Sequence, residues 1–353
     1  MSLNHSPSIV TNGLVMYYDM NNTKKSWKGM PTTNLFGNAV NYSGLNSYWF
    51  LLDNNTNYFL ISSSYNSWCM NFVCTLAAST QYTLSFEYKT SSAGTLVIDN
   101  DGVDDNTWNA TINTTSEWQK YTFTRTEITA GVMTLYFRRN TGGDIEVRNV
   151  QIEANSFASG FVKGTRSTTQ AIVDLTGNNT LTATSLTYNS NNTFSFNGSN
   201  NQISSPYKPS GARSFFIWVK FNTLTTAAGY QLMGVQEVGA YSYIGIINGG
   251  NIYYAAGNAG GDTGIAGATV GIWVNLGFVL NADGSHSIYK NGVSVYTTTG
   301  AVGNLATAGF TIGALNGNYW VNGDIPVVSC YNIALTATQV AQNFNVLRGR
   351  YGI

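Results

Sequence analysis

The ten residues 287–296, Ser-Ile-Tyr-Lys-Asn-Gly-Val-Ser-Val-Tyr, do most to narrow what this chain can fold into. Two alternating apolar–polar runs flank Asn291-Gly292, a pair that readily supplies the two positive-φ positions a two-residue hairpin turn needs. The same period of two recurs elsewhere. Between Gln81 and Lys89 it places Tyr82, Leu84, Phe86 and Tyr88 on one face, and residues 118–124 and 133–138 repeat the habit. In residues 144–153 the apolar positions are Ile145, Val147, Val150 and Ile152. With 22 Tyr, 8 Trp and 37 Gly, the composition suits half-buried strands and turns. The chain reads as all-β.

A length of 353 residues suggests two domains. At 43% hydrophobic and 13% aromatic the chain can bury a core, which excludes wholesale disorder. Only 10% of residues are charged, 17 basic against 17 acidic. That balance supplies no basic face, so nucleic acid and an anionic membrane are excluded as partners. The three cysteines, Cys69, Cys74 and Cys330, make no disulfide framework: a Cys69–Cys74 bridge across a tight loop is one reading, buried free thiols the other. The opening Met-Ser-Leu-Asn-His lacks the basic and apolar regions of a signal peptide, and no run of about 18 apolar residues offers a membrane span. The expectation is a protein folded in a cytoplasm, working outside cells as part of a particle.

Three segments stand in a fixed order: Phe194–Ile203 (Phe-Ser-Phe-Asn-Gly-Ser-Asn-Asn-Gln-Ile), the hairpin of 287–296, and Gly323–Thr336, which leads into a C-terminal helix. Over about residues 165–353 they resemble the laminin-G-like, concanavalin A-like jelly roll of lectins and bacteriophage virion proteins. A strand such as Asn12–Asn21 opens domains of that kind, followed by a loop like Asp174-Leu-Thr-Gly-Asn-Asn179, here some 150 residues downstream. The resemblance therefore implies a jelly roll made of residues 1–30 with 165–353, and a second domain, 31–164, inserted in its first loop, where a longer loop closes at little cost. The inserted segment, with Tyr82–Phe86, Glu117–Tyr121 and a terminal Val150-Gln-Ile-Glu153, resembles the β-sandwich of carbohydrate-binding modules. The expected fold class is two β-sandwich (jelly-roll) domains, one inserted in a loop of the other, with a short C-terminal helix. That helix starts at a capping box, Thr336-Ala-Thr-Gln339, carries Val340, Phe344 and Leu347 on one side, and has Gly349 to end it. It is expected across an edge of the jelly roll.

Glycoside hydrolases that share this jelly roll carry a Glu-x-Asp-x-x-Glu run with carboxylates at a retaining separation of about 5 Å. No such run occurs; Asp144-Ile-Glu146 supplies only two carboxylates, more simply read as solvent-facing. His5 and His286 are the only histidines, too few for a metal cluster or a catalytic triad, and His286 reads as an exposed turn residue. No enzyme is expected. For calcium, residues 99–106 gather Asp99, Asn100, Asp101, Asp104, Asp105 and Asn106, hard oxygens of the kind that ion takes, though the loop lacks the bidentate Glu of an EF-hand and reads equally as an acidic turn. Asp19 and Asp174 are a second pair, or simply close turns.

Sugars are bound by aromatic faces beside amides and carboxylates. In the jelly roll, Tyr241, Tyr243, Tyr253 and Tyr254 stand among Gly and Asn in strands expected to line the concave sheet, and Asn316-Gly-Asn318-Tyr319-Trp320 adds an aromatic pair with amides beside it. In the insert, Trp108 follows the acidic loop and Trp49 and Trp68 have polar neighbours; Trp218 and Trp273 read as core. The resemblance implies a bacteriophage virion protein, on tail fibre, baseplate or head, that shows glycan-binding modules to the host surface. Its partners are then other virion proteins, a host-surface glycan and copies of itself, in a homo-oligomer such as the trimers of phage relatives. A capsid decoration protein without ligand and a carbohydrate-active enzyme or its accessory module are the competing readings.

Overall fold

The computed structural model describes residues 8–353 except 24, 37–39, 42–48, 54, 65–68, 103–106, 189–193, 225–228, 238–239, 248, 258, 301–307 and 316–318. The chain divides into two compact units, Met30–Ser167 forming one, and the residues up to Gly29 with those from Thr168 onward forming the other. Each is a β-sandwich with its own core.

In the unit that holds both chain ends, one sheet has eight strands. From the edge run Thr187–Tyr188, Phe194–Asn197, Asn322–Tyr331, Arg213–Phe221, Trp273–Leu280, Ser285–Lys290 and Val293–Thr299. The opening strand Leu14–Asp19 pairs antiparallel with Asn322–Tyr331, Tyr18 opposite Val328, so the chain's first strand closes a sheet with its last. The facing seven-stranded sheet runs Thr182–Thr184, Gln202–Ser204, Thr311–Ile312, Tyr230–Glu237, Ala240–Ile247, Asn251–Gly257 and Ala259–Ala266. Between the sheets lie Met16, Tyr18, Phe215, Ile217, Ile244, Ile252 and Phe278, all from alternate strand positions.

The helix Ala337–Leu347 begins at the capping box the sequence spells: Thr336 Oγ1 accepts from the Gln339 amide (3.3 Å), and the Thr336 amide donates to Gln339 Oε1 (2.9 Å). It lies on the outer face of the eight-stranded sheet rather than across an edge. Phe344 stacks on Trp218 with centroids 5.6 Å apart, while Val340 packs among Phe216, Val279 and Tyr331. Gly349 does not form the stop; the last turn tightens into a 3₁₀ turn, Arg348–Arg350, and Tyr351 stacks on Trp218 at 4.3 Å.

In the other unit, five-stranded sheets face each other. One contains Gln81–Thr90 and Ile145–Glu153, the other Gly131–Thr141 and Gly94–Gly102. The strand Ile145–Glu153 shows how sequence phase becomes geometry. Its apolar residues switch from odd to even numbers after Val147, and the pairing register shifts between Arg148 and Gln151, with Asn149 at φ 58°. The bulge absorbs one residue and keeps Ile145, Val147, Val150 and Ile152 all buried.

Candidate functional site

The seven-stranded sheet turns one face to the core and the other away from it. On Ala240–Ile247 and Asn251–Gly257 the core takes Ile244, Ile246, Ile252, Tyr254 and Ala256. Alternation therefore sends Tyr241, Tyr243 and Tyr253 to the outer face. There they form a run: Tyr241 meets Tyr243 edge-on (centroids 6.2 Å, planes at 70°), and Tyr243 stacks on Tyr253 (5.8 Å, 15°). Tyr241 is 41% exposed, Tyr253 is half-buried, and Tyr243 is closed in at the middle.

The neighbouring backbone makes room for the rings. Tyr241 pairs with Gly257, Tyr243 with Gly234 and Ala255, and Tyr253 with Gly245 and Asp262. At Gly234 the room is obligatory, since a Cβ there would stand 2.3 Å from the Cβ of Tyr243. The exposed Asp262, which the sequence reading missed, is placed beside Tyr253 by the register of the edge strand Ala259–Ala266 on Asn251–Gly257 and accepts a hydrogen bond from Asn251 Nδ2 (3.3 Å). Nothing local in Gly-Gly-Asp-Thr-Gly announces that neighbour. The result is an aromatic surface bordered by a carboxylate and an amide, a combination suited to the C–H face and hydroxyls of a sugar ring. Tyr254 belongs to the opposite face: it lies in the core near Tyr296, and burial with that neighbour pushes its hydroxyl up to about 12.

The other candidates fall elsewhere. Tyr319 is 46% exposed at φ 59° and Trp320 is half-buried; Asn316 and Asn318 lie outside the described residues. Thr311 and Ile312 pair with Gly234 and Met233, so beyond Ile312 the strand points away from the pair Glu237–Ala240 that adjoins Tyr241. Trp108 is not available to a ligand: it is 1% exposed, its Nε1 donates to Glu127 Oε1 (2.7 Å), and Phe123 packs edge-on against it. Of the acidic segment expected as a loop, residues 99–102 instead end the strand Gly94–Gly102. Asn100, counted among the calcium oxygens, is buried and accepts from the amides of Thr107 and Trp108. Asp99 and Asp101 alternate with it and face outward; Asp104, Asp105 and Asn106 lie outside the described residues, as do Trp68 and His5.

Asp19 and Asp174 do meet at Tyr17, each already committed. Asp174 accepts from the amides of Tyr17 (2.9 Å), Thr176 and Asn179, whereas Asp19 accepts from the Asn21 amide and from Arg350 (2.6 Å). Among the described residues no three His, Cys, Asp or Glu side chains converge as metal ligands. Asp144 accepts from the Ser63 amide and Glu146 pairs with Lys89 at 3.1 Å. His286, expected at the surface, is fully buried beside Tyr254 (5.0 Å) and Phe278, because its hairpin strand turns that position into the core. Cys74 and Cys330 are free and buried, which excludes the Cys69–Cys74 bridge; burial pushes the Cys74 thiol up to about 12.

Residues 196–341, which include the tyrosine run, match a family model described as the concanavalin A-like lectin/glucanases superfamily. No curated protein matches the chain. Among solved structures, domain 4 of an extracellular arabinanase from Geobacillus stearothermophilus, determined with arabinotriose, is 23% identical over 50% of this chain and 92% of that one, with a TM-score of 0.40. The botulinum neurotoxin serotype D binding domain is 15% identical over 50% of this chain, with a TM-score of 0.40. A structure of botulinum neurotoxin type C, whose cell entry is described as dependent on two ganglioside molecules, is 16% identical with the same score. The chain spans about half the length of each toxin structure (49%).

Proposed function

We propose that the protein is a non-enzymatic glycan-binding protein that works from the surface of a bacteriophage particle, where it adsorbs to host-surface sugars. The observation that carries the binding role is the Tyr241–Tyr243–Tyr253 run with Asp262 at its border, in a segment that matches a lectin-containing superfamily. The particle setting rests on the resemblance of Gly323–Thr336 and its neighbours to virion proteins, and on a net charge of zero, which keeps the chain off packaged nucleic acid. Sites of this open kind bind weakly one at a time, and many copies on one particle multiply the effective affinity.

Glycan-array binding of the full chain tests the proposal. Tyr253→Ala and Tyr241→Ala are each expected to weaken binding of the retained glycans about 5- to 30-fold, since each removes an aromatic face worth roughly 1–2 kcal/mol. Unchanged binding by both variants, with native circular dichroism, overturns the site. Antibody labelling of assembled virions tests the particle setting independently.

A further inference from the structure

The eight-stranded sheet has a notch. Two strands pair with the same side of Asn322–Tyr331, end to end: Phe194–Asn197 meets it at Gly323, and Leu14–Asp19 meets it from Val327 onward. Asp324, Ile325 and Pro326 stand between them without a strand neighbour on that side. The Ile325 and Pro326 carbonyls are taken by the Tyr18 hydroxyl (3.1 Å) and the Met20 amide (2.9 Å). Above this gap the C-terminal residues fold over, leaving a cavity of about 350 Å³ lined by Asn21, Ser195, Trp273, Asp324, Arg350 and Tyr351 around an apolar floor. That volume lies within the range of small-ligand pockets and accommodates one sugar ring. Trp273, read as core in the sequence, is half-buried at this cavity, packed on Tyr351 (4.8 Å) with the Lys220 ammonium over its ring.

The hydrogen-bonding capacity left in the cavity is one-sided. Asp324 is spent: Oδ1 accepts from Ser195 Oγ (2.6 Å) and Oδ2 pairs with Lys220 (3.1 Å). Asp19, behind Arg350, is buried and paired. Arg350 is the opposite case. Its side chain is 45% exposed, and among the described residues one of a guanidinium's five N–H donors is engaged, Nη1 to Asp19 (2.6 Å). The Tyr351 hydroxyl accepts from Asn21 Nδ2 (3.5 Å) and has no acceptor for its own proton among the described residues. The carboxylates are held by cations while N–H donors of Arg350 stay open, so the fitting ligand brings acceptors, and a carboxylate is the acceptor that matches a guanidinium fork.

We propose that this cavity is a second ligand site, separate from the tyrosine run, for a single carboxylate-bearing sugar residue of the uronic-acid type. Arg350 takes the carboxylate through its unengaged N–H groups. Tyr351 donates to a ring or hydroxyl oxygen, and the edge of Trp273 with Pro326 covers the apolar side.

Titration of the full chain with methyl glucuronide and with methyl glucoside, followed by calorimetry and by tryptophan fluorescence, tests it, because the two sugars differ only at C6, a carboxylate in one and a hydroxymethyl group in the other. The glucuronide is expected to bind at least tenfold more tightly, and raised salt to weaken it. Arg350→Met is expected to cost at least tenfold. Since that change also strands buried Asp19, Asn21→Asp is the control for folding: Asn21 is exposed, and a carboxylate there repels the ligand while the backbone amide of residue 21 and Arg350 both stay available to Asp19, for an expected loss of about fivefold or more. Tyr253→Ala is expected to leave the glucuronide affinity unchanged, which separates this site from the tyrosine face. Absence of glucuronide binding, equal affinity for the two sugars, or undiminished affinity in folded Asn21→Asp overturns the proposal.

Discussion

Single residues here are decided by which face of a strand they land on. Tyr253 and Tyr254 are neighbours in sequence, identical in chemistry, and opposite in fate: one joins an outward aromatic run, the other a core. His286 shows the same logic with a titratable group. Its ring is fully buried among Tyr254, Phe278 and the Gly284 carbonyl, Nε2 has no hydrogen-bond partner among the described residues, and burial lowers its pKa from the ordinary 6.5. A folded value below the unfolded one means that the unfolded chain binds a proton first. The stability contributed by neutral His286 is therefore complete above about pH 6.5 and is lost as pH falls through 6.5 toward the lowered folded value. Urea unfolding at pH 7.5 and 5.5 checks this: the native protein is expected to lose more stability between the two than His286→Leu does. Equal losses would remove His286 as the cause.

At the scale of elements, local rules and packing meet at the hairpin. Asn291 and Gly292 sit at φ 50° and 78°, as the Asn-Gly pair dictates, and Lys290 pairs with Val293 across the two-residue turn. What the turn rests against is not local: a Cβ on Gly292 would lie 2.9 Å from the Cβ of Phe344 in the C-terminal helix. The hairpin and the helix are thus one packing unit on the outer face of the sheet. Gly292→Ala combines an unfavourable positive φ with that close approach and is expected to cost about 1–3 kcal/mol, read as a lower urea midpoint. Thr336→Ala removes half of the capping box and is expected to cost about 1 kcal/mol. The hairpin and the helix start were legible because turn and cap chemistry act over three or four residues. The helix stop and its seat on the sheet face were not, because they depend on Trp218, more than a hundred residues earlier in the chain, against which Phe344 and Tyr351 both stack.

At the scale of the whole molecule, the two hydrophobic cores share no residue. Ile217→Ala belongs to one core and Leu84→Ala to the other, and each deletion is expected to cost about 2–5 kcal/mol in its own unit. Calorimetry is expected to show two transitions, each variant lowering one; a single transition moved equally by both would refute independent cores. Strand character, the hairpin, the cap and the buried faces of strands such as Gln81–Thr90 were determined by the sequence itself, through periods and turn preferences that act within a few residues. The pairing of Leu14 with Tyr331, the meeting of Tyr253 with Asp262, and the cavity lined by both Arg350 and Asp324 were decided only in three dimensions. Each joins strands whose register follows from the packing of an entire sheet, and no short stretch of chain encodes that packing.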